Sequence, residues 1–139
     1  AMLAVMALGA DGVQIGSLFA VAEESSAHPG FKHLVTSLQE GDTRLALKKL
    51  APVRLIRNEF FKKVDEAEQA GAGVDELKAL LGKGRAKKGI FEGDLVEGEL
   101  EIGQVSALID RIEPVAIIME RLIAEYYTAK DRITRTLEF

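Results

Sequence analysis

The sequence predicts an α/β fold with its one clear strand early and a mainly helical remainder. Three observations carry this. A glycine-bounded run, Gly12-Val13-Gln14-Ile15-Gly16, alternates apolar and polar as a strand does. It comes after a short apolar helix stopped by Gly9, so the chain opens on a helix–turn–strand step. Most of the chain beyond Gly16 shows helical periodicity. The 139 residues are 47% hydrophobic, enough for one compact domain with a core.

Composition removes several function classes. With no Cys, a disulfide scaffold, a thiolate zinc site, an iron–sulfur cluster and a cysteine nucleophile are excluded. A net charge of −4 argues against a dedicated nucleic-acid binder, which needs clustered cations. No apolar run approaches the roughly 20 residues that span a bilayer, so no membrane association is expected and the expected location is cytoplasmic. Residues 1–10 lack the basic start and the cleavage site of a signal peptide, and read as an amphipathic or buried helix entered in mid-structure.

The elements come in this order. Residues 3–8 are good helix formers ahead of Gly9. Residues 13–15 form the strand, with Val13 and Ile15 on one face. Residues 17–24 read as a short helix opening at Ser17. Pro29 begins another, through Phe31, Leu34, Val35 and Leu38, ended by Gly41-Asp42. Thr43, Leu45 and Leu47 alternate with Arg44 and Ala46 as a weak extended segment. Pro52 is expected to open a helix with the stripe Ile56, Phe60, Val64 and Ala67, broken at residues 70–73. Val74, Leu77, Leu80 and Leu81 make a brief helix stopped by Gly82. Residues 83–98 read as loop with a helical turn near Ile90-Phe91, and residues 100–109 as apolar at helical spacing. Pro114 starts the longest helix, with Val115, Ile118, Met119, Leu122, Tyr126 and Ala129 expected as core. A lone strand leaves both edges unpaired. Either the Thr43 segment pairs with it, or the rest of its sheet lies on other sequence.

Chemistry is most legible at Gly12-Val13-Gln14-Ile15-Gly16-Ser17. Glycine lets a phosphate approach the backbone, and the first amides of a helix are unpaired donors. Barrels of the (β/α)8 type hold phosphate with such an arrangement. The plain alternative is a tight turn with Ser17 as a helix cap. Two histidines are present: His28, which reads as a structural histidine or as a group that Glu24 would orient if the segment were helical, and His33 on a charged face. Lys83, Arg85, Lys87 and Lys88, with Arg54, Arg57, Lys62 and Lys63, form a basic cluster that reads as a solvated face or as an anionic docking surface.

Residues 4–17 resemble the final barrel strand of the FMN-dependent nitronate monooxygenases and flavin enoyl-acyl-carrier-protein reductases, which read A-LALGADGVQ-G-T-R-F there. Further motifs occur in the same order. Glu23-Glu24-Ser25-Ser26-Ala27-His28-Pro29 resembles E-S-x-A-H-P, and Asp42-Thr43 resembles D-T. Pro52-Val53-Arg54-Leu55-Ile56-Arg57-Asn58 resembles P-V-R-x-I-K-N. Gly93-Asp94 and Gly103-Gln104 resemble G-D and G-Q near the end of the reductase.

The resemblance implies the C-terminal fragment of a (β/α)8 TIM barrel, with residues 1–40 as the last helix–strand–helix unit and residues 41–139 as a helical extension that caps the barrel. Gln14, Gly16 and Ser17 then match the part of the motif that holds the FMN phosphate. Ser17 keeps the hydroxyl of the usual threonine, and Leu18 replaces the usual arginine. Glu24, His28 and Gln104 are placed at the active-site rim. No catalytic residue is assigned, because the family's histidine segment has no counterpart here and belongs to the missing N-terminal part of the barrel. No metal site is expected. The implied activity is NADH- or NADPH-dependent reduction of an enoyl thioester on acyl carrier protein, in fatty-acid synthesis, by a homodimer. The sister activity is oxidation of alkyl nitronates. A non-catalytic helical interaction module is the competing class, binding a protein through the Val115 to Ala129 face.

Overall fold

The computed structural model describes residues 1–136. Helix α1 (Met2–Ala7) closes at Gly9, which takes φ +100° while the Gly9 and Ala10 amides bond back to Met6 and Val5 carbonyls. This is the paired C-terminal lock that a glycine beyond the last helical turn permits. None of α1 is buried, so of the two expected forms, amphipathic or buried, the buried one does not hold.

Residues 12–16 do not form a strand. A strand persists only when a neighbour takes its backbone groups. Among the described residues the one sheet lies elsewhere, pairing β1 (Thr43–Ala46) antiparallel with β2 (Val53–Ile56). The Thr43 segment therefore takes β2 as its partner rather than residues 12–16.

Helix α2 is shorter than expected, Ser17–Ala20. The Glu23 amide, which a longer helix would aim at the Phe19 carbonyl, donates instead to the Glu113 carbonyl, and the Ala22 amide closes the last turn on Phe19. Helix α3 (Pro29–Thr36) starts where Pro29 places it, with His28 as its cap.

Val53–Ile56 is strand, not the first turn of a helix. The segment sits against a free edge, and Val and Ile favour the pleat. Helix α4 (Glu59–Gln69) begins only after Asn58, whose Oδ1 accepts the Phe61 amide at 2.9 Å. The four-residue step from Ile56 to Phe60 thus spans a strand end and a helix start. Helix α5 (Val74–Leu81) ends at Gly82, as its sequence predicts.

A wide π-type turn covers Lys87–Phe91. Residues 100–102 are extended rather than helical: the Ile56 amide donates to the Leu100 carbonyl and the Ile102 amide to that of Arg54, flanking β2 on its second side. Only Gln104–Leu108 coils, as a 3-10 turn.

Two apolar clusters form the interior. One joins Val21, Phe31, Val35, Ile56, Leu100 and Ile109. The other gathers Leu47, Leu55, Phe60, Phe61, Val64 and Leu77 around the ladder and α4. Helix α6 (Val115–Thr136) buries only Ile118 of its expected stripe, while Met119 is 44% exposed. Leu122, Tyr126 and Ala129 of that stripe face a groove of about 480 Å³ between α6, α1 and residues 10–15, lined also by Val5, Val13 and Ile15. Val13 is 39% exposed and Ile15 half-buried beside it.

Candidate functional site

Residues 10–16 lead into α2 without regular structure, and ideal β-carbons on Gly12 and Gly16 would meet nothing within 4 Å. The backbone there is open to a ligand. Gly16 caps α2 without a side chain, so the first helical amides have no protein side-chain acceptor at the cap. Ser17 does not serve as the cap. Its Oγ accepts the Gly103 amide at 3.0 Å, joining motif segments 86 residues apart. A hydroxyl that accepts one bond still carries a proton to donate.

The two segments share a cleft of about 410 Å³. Ser17, Ala20, Val53, Arg54, Ile102 and Gly103 line it, with Glu101. Arg54 spends Nη1 on the Thr43 carbonyl at 3.1 Å and on Thr43 Oγ1 at 3.3 Å. A guanidinium, a hydroxyl and open backbone suit an anion, and the Glu101 carboxylate sets a boundary on that side.

The structure brings Gly16, Ser17 and Gln104 to one region, since Gln104 directly follows Gly103. Gln14 lines the apolar groove against α6 instead of this cleft. The two remaining rim residues have structural bonds. Glu24 accepts the Val115 amide through both carboxylate oxygens, at 3.1 and 2.9 Å, which places its charge on the positive end of α6. His28 Nδ1 accepts the Gly30 amide at 3.1 Å. Glu24 and His28 therefore do not form the orienting pair considered from their spacing. His33 is exposed, as expected.

Part of the basic cluster is locally compensated. Lys87 pairs with Glu92 at 2.9 Å, Lys88 with Asp94 at 2.7 Å and Lys63 with Glu97 at 2.6 Å. Lys88, with the Glu97 and Val96 amides, holds the Asp94 carboxyl down to about 2. Arg85 donates to the Leu80, Leu81 and Glu97 carbonyls and lies 4.4 Å from the Phe60 ring centre. It is a structural clamp rather than a free surface charge.

Several residues that matter here carry weak sequence signals. Gly103 is legible in the sequence only as a motif glycine, and Arg54 only as a motif residue and one of a basic cluster. Lys32 is a charge inside an apolar helix pattern and is 6% exposed. Glu99, also 6% exposed, has its carboxyl raised to about 7, first by burial and then by Glu101 beside it. Among the described residues no group of acidic or histidine side chains is arranged to hold a metal ion, and no helix is long and apolar enough to cross a membrane.

Comparison with known proteins gives this geometry a family. The family model described as nitronate monooxygenase matches residues 1–125. The chain belongs to the nitronate monooxygenase family, as the ordered motifs implied. It is 39% identical over 66 residues to a probable nitronate monooxygenase of Staphylococcus saprophyticus, covering 47% of this chain and 19% of that one. A probable nitronate monooxygenase of Bacillus subtilis is 50% identical over 42 residues, covering 30% and 12%.

Among solved structures, FabK from Thermotoga maritima superposes with a TM-score of 0.87 at 32% identity, over 97% of this chain and 43% of that one. Nitroalkane oxidase from Streptomyces ansochromogenes superposes with a TM-score of 0.70 at 30% identity, over 95% and 37%. The chain spans less than half the length of these relatives.

Proposed function

We propose that this chain supplies the phosphate-binding corner and the helical cap of an FMN-dependent (β/α)8 oxidoreductase. The carrying observation is the Ser17–Gly103 hydrogen bond, which sets two family motifs side by side beneath an open glycine backbone. The donor set fits a phosphoryl group: unencumbered amides at residues 16 and 17, the Ser17 hydroxyl proton and the nearby Arg54 guanidinium. Gly16 and Ser17 would hold that group, while Gln14 faces the apolar groove against α6 instead. The flavin, when bound, supplies the redox chemistry, and these residues supply position and charge.

Two substrate classes are compatible with this reading. Reduction of an enoyl thioester by NADH or NADPH, with acyl carrier protein as the partner, draws support from the closer superposition on FabK. Oxidation of alkyl nitronates draws support from the family model and the sequence relatives. The test uses the full-length protein containing this chain. A yellow preparation with a flavin spectrum is expected; a colourless one overturns the oxidoreductase reading and favours an interaction module. Turnover of crotonyl thioester with reduced nicotinamide selects the reductase, and turnover of a nitronate with oxygen selects the monooxygenase.

A further inference from the structure

Lys32 poses a problem in desolvation. Its side chain is 6% exposed, and among the described residues no carboxylate pairs with it. Burying an ammonium is costly unless each of its three N–H groups finds an acceptor. All three are met by backbone carbonyls: Ala22 at 2.8 Å, Glu23 at 3.0 Å and Ser25 at 2.8 Å.

The converse matters as much. Three carbonyls from four successive residues converge on one point, with their negative ends together. Such a ring is stable around a cation, whose charge replaces what water would supply, and is repulsive when empty. Its neighbours show what the ring holds in place. Between the converging carbonyls, Glu24 directs its carboxylate outward to the Val115 amide at the start of α6. The Glu23 amide donates to the Glu113 carbonyl just before that helix. One face of the turn grips Lys32 and the other grips α6.

We propose that residues 22–25 form a carbonyl cage for a monovalent cation, that the tethered ammonium of Lys32 fills it, and that the filled cage fixes the Glu24 carboxylate on α6. Lys32 is thus a positioning residue, acting on α6 through the turn. The ligand class is set by the chemistry. A dehydrated ion near ammonium in size with no need for anionic donors fits three neutral carbonyls, so ammonium and potassium should enter once the tether is cut. Tetramethylammonium carries the same charge but cannot donate a hydrogen bond or approach as closely.

The test is Lys32→Met in the full-length protein, which keeps the linear stem and removes the charge. The expected result is a fall in Tm of about 5 °C or more. Ammonium or potassium chloride should restore most of it saturably, while leaving the wild type unchanged. Tetramethylammonium chloride at matched ionic strength should not. Amide exchange at Val115 should quicken in the variant and slow again with ammonium. An unchanged Tm, or equal recovery with all three salts, overturns the proposal. If the variant does not fold, the wild type decides: lysine-15N labelling should show one slowly exchanging ammonium signal assigned to Lys32. Rapid exchange of that ammonium with water overturns the cage.

Discussion

Ser17 Oγ accepts the backbone amide of Gly103 at 3.0 Å, and a β-carbon at position 103 would come within 2.6 Å of that oxygen. The contact thus requires a hydroxyl on one side and the absence of a side chain on the other. Ser17→Ala should cost no more than about 1 kcal/mol, because water can reach the exposed Gly103 amide. Its larger effect should be on cofactor retention, since the residue next to the open glycine turn loses its anchor. Ser17→Thr should keep flavin content near wild type, and Ser17→Ala and Gly103→Ala should both lower it. Flavin absorbance per chain, read beside Tm in the full-length protein, separates binding from stability. Equal flavin content in all three variants would remove Ser17 from the site.

Gly98 and Gly89 cross with their backbones in contact. A β-carbon at Gly98 would overlap Gly89 Cα, the Gly89 nitrogen and the Asp94 carbonyl. At Gly89 it would meet Leu100 Cδ2 at 2.7 Å and the Glu99 carbonyl at 3.0 Å. Backbone cannot swing aside as a side-chain tip can, so Gly98→Ala should destabilise by about 3 kcal/mol or more. Gly12→Ala, where the new carbon meets nothing within 4 Å, should cost less than about 0.5 kcal/mol. Thermal unfolding of the two variants checks the contrast. Similar Tm values would mean that the crossing opens freely.

Elements with their own punctuation are legible in the sequence: Pro29 opens α3, Gly82 closes α5, and Gly9 closes α1. Elements decided by a distant partner are not. Val53–Ile56 matches a helical stripe until β1 offers it a ladder, and residues 100–102 become extended because β2 has a second edge. The failure at residues 12–16 has the same cause with the opposite sign, since alternation cannot supply the neighbour a strand needs. Helix α2 stops early because the Glu23 amide goes to the Glu113 carbonyl, far along the chain, instead of back to Phe19. At the site, motif order brings Ser17 and Gly103 into view, but only the fold shows that they touch. Glu24 reads as a partner for His28, yet it anchors α6 because Val115, 91 residues further on, reaches it first.

Glu99 makes stability depend on pH. Its carboxyl rises from 4.5 to about 7, chiefly through burial, with the Glu101 carboxylate adding to the rise and Arg85 opposing it. Between those two values the folded chain holds a proton that the unfolded chain has released. Stability must then fall as pH rises through that window: the contribution is complete below 4.5 and lost above about 7. Glu99→Gln keeps a neutral amide that can still donate to Glu101 and has no charge to desolvate. The variant should match wild type near pH 4.5 and exceed it at pH 8, by on the order of 1–2 kcal/mol. The measurement is urea unfolding from pH 4.5 to 8.5 on both proteins, comparing slopes rather than single values. Other carboxylates titrate in both proteins and cancel in the difference. Parallel curves across the window would show that Glu99 is ionised in the folded chain, with Arg85 outweighing burial.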